Sequence, residues 1–316
     1  MGYILFPKKH FNENIEVEKM TLISKTIKIK IEQEKWLESH PEINFSEWVR
    51  DKINESIEEE RSGKIRRKVK AIIVAAGHDK RIEPLNGDIP KCLLDVRGKT
   101  ILERQIENIR SCGINDIIII KGYKQELIDI PNVKYYINPG FEKTGIVASL
   151  FFAEKEMDTD FIFLYSDIIF DKRLLEKLLK NDSDVCLVAD LDWKKRYNER
   201  VTRSTGEVEL VEVRDDYITK IGKNIDPKKG YGEFIGLAIF SKKGADILKK
   251  CYRTALKQYK NKKFHESPSI TEAYFTDMIQ EIINTNFQIN HLDVYGDWIE
   301  IDTFEDYRKA WSEVTS

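Results

Sequence analysis

The stretch VKAIIVAAGHDKRIEPLNGDIPK, residues 69–91, decides how the rest of the chain is read. Its first seven residues are apolar apart from Lys70, the composition of a strand buried on both faces of a parallel sheet. The strand runs straight into Ala75, Ala76 and Gly77, whose small size lets the backbone come close to a ligand. Pro84, Gly87 and Pro90 keep the remainder of the stretch as a shaped loop, and that loop carries two cations, Arg81 and Lys91. A strand feeding a small-residue loop with Arg and Lys suits a triphosphate, held by backbone N–H groups and positive charge. The loop has neither the GK[ST] of a Walker sequence nor the GxGxxG of a dinucleotide site, so those two grips are set aside.

Strands and helices alternate from here on. Ile101 to Cys112 is amphipathic, with Leu102, Ile106 and Ile109 on one side, and Gly113 stops it. Ile117–Ile120 reads as the next buried strand, with Gly122-Tyr123 beyond its end. A further strand, Val133–Ile137, ends at Asn138-Pro139-Gly140. A helix over Val147–Lys155 precedes the most apolar strand, Phe161–Tyr165. The succession predicts a doubly wound, Rossmann-like α/β sheet flanked by helices, with ligands beyond the carboxyl ends of the strands.

Ser166-Asp167 follows that apolar strand, and a carboxylate at such an exit is a natural Mg2+ ligand. Near the end, GDWIEIDT (296–303) alternates, which points Glu300 and Asp302 to one face. If that face lines the cleft, Asp167, Glu300 and Asp302 together would hold one or two Mg2+ ions. Asp158 with Asp160, and Asp182 with Asp184, precede strands instead and read as solvated turn acids.

The 316 residues exceed one average domain. Acids and bases nearly cancel, for a formal charge of -2, so no whole-molecule basic field implies nucleic acid. The four cysteines form no CxxC pair and the five histidines are scattered, so zinc and disulfide readings recede. No apolar run approaches the ~18–20 residues of a membrane span. Residues 1–20 lack a signal peptide's apolar region and read as a flexible extension, or as residues before a natural start at Met20. The expected location is the cytoplasm.

The character of the chain changes near residue 61. RSGKIRRKVK (61–70) is basic and contains Gly63, and residues 63–68 read as a linker between a small unit, 21–62, and a large one, 69–316. Lys25 to Ile31 alternates like a half-buried strand. Glu32–Ser39 can form a helix, ended by His40-Pro41. Ser46 is the expected N-cap of a second helix, with Val49, Ile53 and Ile57 as its apolar stripe beside Trp48. Such a unit cannot bury an adequate core alone and should dimerise or dock. Its β-α-α order and the stretch NFSEWVR (44–50) resemble the ribbon-helix-helix family, which implies a two-fold dimer. The family's ribbon enters the DNA major groove, which here would present Thr26, Lys28 and Lys30. The acids Asp51, Glu55 and Glu58 to Glu60 favour dimerisation without DNA.

Residues 69–310 resemble the GT-A-like nucleotidyltransferase superfamily that builds NDP-sugars and CDP-alcohols. The opening loop is similar to its AAGxGxRxxPLTxxxPK signature, with Asp79 and Lys80 departing from it, and the aspartate after the fourth strand and WIEIDT also match. An acid at 79 would repel a triphosphate unless a cation compensates. YSDIIFD (165–171), ADLDWKKRY (189–197), TKIGK (219–223) and GEFIGLAIFS (232–241) look closest to the branch using CTP with phosphocholine or 2-aminoethylphosphonate. The resemblance implies that Arg81 and Lys91 neutralise the triphosphate, and that Asp167 and Asp302, assisted by Glu300, bind Mg2+. It also places Ala75, Ala76, Gly77, Gly145 and Ser149 at the nucleoside, and Lys223 at the acceptor's phosphoryl group. Asp192, Trp193, Tyr231 and Glu233 would hold a cationic acceptor head by charge and aromatic face. A sugar- or inositol-phosphate nucleotidyltransferase is the alternative within enzymes. A DNA-binding regulator with a ligand-sensing nucleotidyltransferase-like unit is the alternative outside them.

Overall fold

The computed structural model describes residues 29–41, 44–46, 48–50, 53, 68–79, 81, 88–198 and 208–314. The chain divides into two compact units, Met1–Arg66 and Arg67–Ser316.

In the smaller unit the described residues contain a helix over Ile31–Glu38, entered from Lys30, whose N–H donates to Gln33 Oε1 at 2.8 Å. The predicted strand over 25–31 lies mostly outside the described residues, Thr26 and Lys28 among them. Where it is described it is corrected, because Ile29 and Lys30 are irregular and Ile31 already begins the helix. The expectation that Ser46 caps the second helix from outside is also corrected, since Phe45 and Ser46 are both helical. Asn44, whose carbonyl accepts from Trp48 N at 2.9 Å, stands at that start instead.

The larger unit opens with β1 (Val69–Ala75), β2 (Asp95–Val96), β3 (Lys99–Thr100), α1 (Ile101–Ser111), β4 (Ile117–Lys121) and β5 (Lys134–Ile137). Next come α2 (Ile146–Phe151), β6 (Asp160–Tyr165), β7 (Ile168–Phe170), α3 (Lys172–Leu179), β8 (Val185–Asp190) and α4 (Trp193–Asn198). It closes with β9 (Leu210–Arg214), β10 (Tyr217–Gly222), β11 (Gly232–Phe240), α5 (Lys242–Gln258), α6 (Phe275–Asn284), β12 (Asn290–Val294), β13 (Trp298–Glu300) and α7 (Phe304–Glu313). The helix expected over 147–155 stops at Phe151, and a short 3-10 turn over Glu154–Glu156 replaces its end.

The strands β5, β4, β1 and β6 lie parallel and adjacent, as the alternation predicts. Beyond β6 the sheet turns mixed, because β11 runs antiparallel to both β6 and β8, and β12 then pairs β8 in parallel. The start of β11 outruns β6 and is taken up there by the hairpin β9–β10. Along β1, Ile72 and Val74 enter one core, while Ala71, Ile73 and Ala75 enter the other. Helix α1 covers the second core with Leu102, Ile106 and Ile109, and α5 and α6 cover the first. Phe275 of α6 stacks on Phe163 of β6 with ring centroids 3.8 Å apart. Among the described residues no helix is long and apolar enough to cross a membrane.

Candidate active site

A cavity of about 690 Å³ opens where β1 and β6 end and β11 begins. Ala76, Gly77, Arg81, Lys91, Gly145, Ser149, Asp167, Lys223, Glu233, Glu300 and Asp302 all line it, and they span more than two hundred positions of sequence.

Asp167 is presented by the corner between β6 and β7. Gln105 Nε2 of α1 donates to the Tyr165 carbonyl at 2.8 Å and the Ile168 carbonyl at 2.7 Å, which fixes that corner from beneath. Antiparallel pairing sets Glu300 of β13 opposite Ile168 of β7, and Ile301 N donates to the Asp167 carbonyl at 3.0 Å. Asp190, fully buried, accepts from Gly296 N and Trp298 Nε1, each at 3.1 Å, and so anchors the approach to β13. The regular strand ends at Glu300, but the chain continues so that Asp302 joins the group. One carboxylate oxygen from each of Asp167, Glu300 and Asp302 lies within 4.8 Å of the others. Asp167 Oδ1 is buried with no hydrogen-bond partner. A lone pair left open inside a set of hard oxygen donors fits a divalent cation.

The two loop cations lie against these acids. Lys91 is only 8% exposed, and its Nζ donates to Asp302 Oδ1 at 2.5 Å, Asp167 Oδ2 at 2.9 Å and Asp79 Oδ2 at 3.1 Å. Burial works against its charge, but Asp167, Asp302, Asp79 and Glu300 outweigh that and hold the ammonium protonated well beyond the usual lysine range. Arg81 spans Asp79 and Asp302, with Nη2 at 2.8 Å from Asp79 Oδ2 and 3.0 Å from Asp302 Oδ1. The acid expected to clash with a triphosphate is therefore paired by the loop's own cations. Burial raises the Asp79 pKa, and the hydrogen bonds from Arg81 with the charges of Lys91 and Arg81 bring it below the ordinary 3.8.

Across the cavity, Lys223 Nζ lies 4.0 Å from the Tyr274 ring centroid and 4.0 Å from Glu209 Oε1. The turn holding Lys223 is fixed by Glu266, which accepts from Lys223 N at 2.8 Å and Asn224 N at 2.9 Å. Glu209 also accepts from the Tyr165 hydroxyl at 2.9 Å, and burial pushes its pKa up to about 7. With Glu233, Phe234 and Tyr165 it makes this wall both acidic and aromatic. Glu209, Tyr274 and Phe141 belong to no motif in the sequence reading, and Tyr165 and His78 lie within quoted motifs that assigned them no role. The one local hint is an acid, Glu209, between the buried Val208 and Leu210.

Four expected residues are not brought to the cavity wall. Ala75 is 4% exposed and belongs to the core beneath the loop. Trp193 is 3% exposed because it packs with Val208, Leu210 and Ile225 in a small cluster of its own. Asp192 lies at the start of α4, where its N–H donates to Asp190 Oδ1 at 3.0 Å. Tyr231 donates its hydroxyl to Asp293 Oδ2 at 2.7 Å and meets His291 edge-on, on the flank formed by β12.

Known proteins share this architecture. The family model described as a MobA-like NTP transferase domain matches residues 71–254. The CTP:phosphoglutamine cytidylyltransferase of Campylobacter jejuni is 28% identical over 250 residues, 75% of this chain and 96% of that protein. The choline-phosphate cytidylyltransferase of Streptococcus pneumoniae is 28% identical over 251 residues, 76% of this chain and 96% of that one. The solved CTP:phosphocholine cytidylyltransferase of Streptococcus pneumoniae matches with a TM-score of 0.61 at 24% identity, covering 77% of this chain and 98% of its own. At that identity the structural likeness is one of fold.

Proposed function

We propose, since the chain belongs to the family of the MobA-like NTP transferase domain, that it transfers CMP from CTP to a small phosphoryl or phosphonyl acceptor with release of pyrophosphate. Its enzyme class is that of the nucleotidyltransferases. The choice of CTP rests on the cytidylyltransferases to which the chain is similar.

The observation that carries the reading is one cavity lined by Arg81, Lys91 and the carboxylates Asp167, Glu300 and Asp302. The acceptor oxygen is already anionic, so no base is needed to create the nucleophile. It attacks the α-phosphorus in line, forming the new P–O bond as the bond to pyrophosphate breaks. The obstacle is charge. Arg81 and Lys91 would neutralise the triphosphate as negative charge shifts toward the leaving group. The three carboxylates would hold Mg2+, the hard cation such oxygens favour, which when bound supplies further neutralisation. Ala76, Gly77, Gly145 and Ser149 would meet the nucleoside, and Lys223 the acceptor's phosphoryl group. The wall of Glu209, Glu233, Tyr165, Phe234 and Tyr274 favours an acceptor with a positively charged head, since aromatic faces and carboxylates both attract a cation.

The deciding experiment is a matrix of CTP, UTP, GTP and dTTP against phosphocholine, 2-aminoethylphosphonate, phosphorylated amino acids, inositol phosphate and sugar 1-phosphates, read as pyrophosphate release. CTP with an amine-bearing acceptor should give the highest kcat/KM. Preference for a sugar 1-phosphate or for another nucleotide would replace this reading.

For residues 21–62 the proposed role is pairing two copies of the chain. Support comes from the apolar side chains left exposed in the smaller unit, Ile31 at 74%, Trp36 at 50%, Trp48 at 49% and Ile53 at 52%.

A further inference from the structure

Strand β10 ends at Gly222, so Lys223 and Asn224 lie beyond its last pair with β9. Their backbone is gripped by a side chain, since Glu266 accepts from Lys223 N at 2.8 Å and from Asn224 N at 2.9 Å. Gly222 lets the carboxylate come this near, because a Cβ there would fall 2.5 Å from Glu266 Oε1. Just before the turn, Ile221 N donates to Gln280 Oε1 of α6 at 3.0 Å. Glu266 is itself fixed by Asp277, a residue of α6 only 2% exposed. The Asp277 carboxylate accepts from Glu266 N at 2.8 Å, from Tyr274 N at 3.1 Å and from the Ser267 hydroxyl. Tyr274 carries the ring whose centroid lies 4.0 Å from Lys223 Nζ. One buried acid therefore sets both the clamp on the Lys223 backbone and the aromatic face beside its ammonium.

We propose that Glu266 is a positioning residue for the acceptor: by clamping the turn after β10 it aims Lys223 into the cavity, and it touches neither substrate. The proposal rests on the reading of Lys223 as the group that meets the acceptor's phosphoryl. Of the two residues, only Lys223 lines the described cavity, so the Glu266 carboxylate acts from behind the wall. A lysine side chain has many rotamers, and a loose turn would add backbone freedom that the acceptor would have to arrest on binding. Two N–H groups donating to one carboxylate make charge-assisted bonds, which remove that freedom beforehand. The clamp spares the nucleotide side. The segment between Glu266 and Tyr274 does reach that side, through the Thr271 carbonyl, which accepts from Gly145 N at 2.8 Å. That contact is backbone to backbone and needs nothing of the Glu266 side chain.

The test is steady-state kinetics of the full-length protein with Mg2+, CTP and, in turn, phosphocholine and 2-aminoethylphosphonate, read as pyrophosphate release. Glu266→Ala removes the clamp and leaves the backbone bond to Asp277. KM for the acceptor should then rise at least about tenfold, the weight of one bond to a charged group. KM for CTP should stay within about twofold, because the nucleotide's binding is untouched. Glu266→Gln keeps one accepting oxygen and should give a smaller rise in the same constant, which carries the test if the alanine variant folds poorly. On a Lys223→Ala background, Glu266→Ala should add nothing, because the group it aims is gone, whereas a merely structural brace would add its own loss. The proposal is overturned by an acceptor KM that moves less than about twofold in both variants, by a CTP KM that rises in step with it, or by a full second loss on the Lys223→Ala background. Lys223→Ala alone tests the underlying reading. If it keeps the wild-type acceptor KM, or if wild type turns over neither acceptor, the reading of Lys223 at the acceptor fails and the proposal goes with it.

Discussion

Lys91 illustrates how a residue identified from a motif acquires its meaning from its neighbours. The sequence supplied a cation at the end of a loop, and the fold put its ammonium within 3.1 Å of three carboxylates, Asp79 of the same loop and Asp167 and Asp302 from distant segments. Charge-assisted bonds of this kind are the strong ones, so the group stays charged despite burial. Asp167 is the member of the proposed metal set with an open oxygen. Asp167→Asn should lower kcat by about 10²–10³-fold, the usual cost of removing one charge-stabilising group, with little change in melting temperature. Pyrophosphate release and a thermal melt check this together, and EDTA should abolish turnover of the wild type. Glu209 gives a pH prediction. Its folded pKa of about 7 lies above the ordinary 4.5, so the fold favours the protonated form. Its contribution to stability is therefore complete below pH 4.5 and lost as pH rises through about 7. Ligand-free wild type should lose melting temperature relative to Glu209→Gln across that window. The affinity for a cationic acceptor should rise over the same range in wild type and stay flat in the variant, and parallel profiles would remove Glu209 from the acceptor site.

At the scale of elements, β11 has the most influence on the site. All nine of its residues are buried, it crosses antiparallel between β6 and β8, and its register shifts between Phe234 and Ala238. Gly236, at φ +79°, sits in that irregularity, and a Cβ there would fall 2.3 Å from Cδ2 of Tyr165. Gly236→Ala combines a left-handed backbone with a clash, and should cost about 1–3 kcal/mol or more. Because the ring it strikes belongs to the proposed acceptor wall, KM for the acceptor should rise more than KM for the nucleotide. Gly145 is similar at the N-terminus of α2, since a Cβ would lie 2.4 Å from the Ala273 carbonyl oxygen. Its small size is needed for this close approach of chain segments, a requirement its place in the cavity wall does not reveal. The parallel strands were legible from apolar runs bounded by turn residues. The antiparallel course of β11 was not, because a run buried on both faces has no periodicity that reports direction.

For the whole molecule, the unit Arg67–Ser316 contains every residue of the described cavity. Deleting residues 1–66 should therefore leave kcat within about twofold of the full chain, in keeping with domains that fold on their own cores. If the smaller unit pairs two copies, sedimentation should give twice the chain mass for the full protein and a single mass after the deletion. An unchanged mass would end that reading. Salt-sensitive DNA binding that weakens on changing Lys28 and Lys30 to Ala would add DNA as a partner, and no binding at low salt would leave pairing alone. The sequence by itself determined the strand–loop–strand frame of the catalytic unit and singled out the loop cations Arg81 and Lys91 and the three acids as candidates, because each is written in a contiguous motif or a local periodicity. Only the tertiary structure decided that Asp79 is paired by its own loop, that Trp193 is packing, and that Glu209, Tyr165 and Tyr274 share a wall. The first is set by side-chain geometry within one loop, which its composition does not record, and the others depend on contacts between separate segments, since residue spacing carries no record of which strands meet.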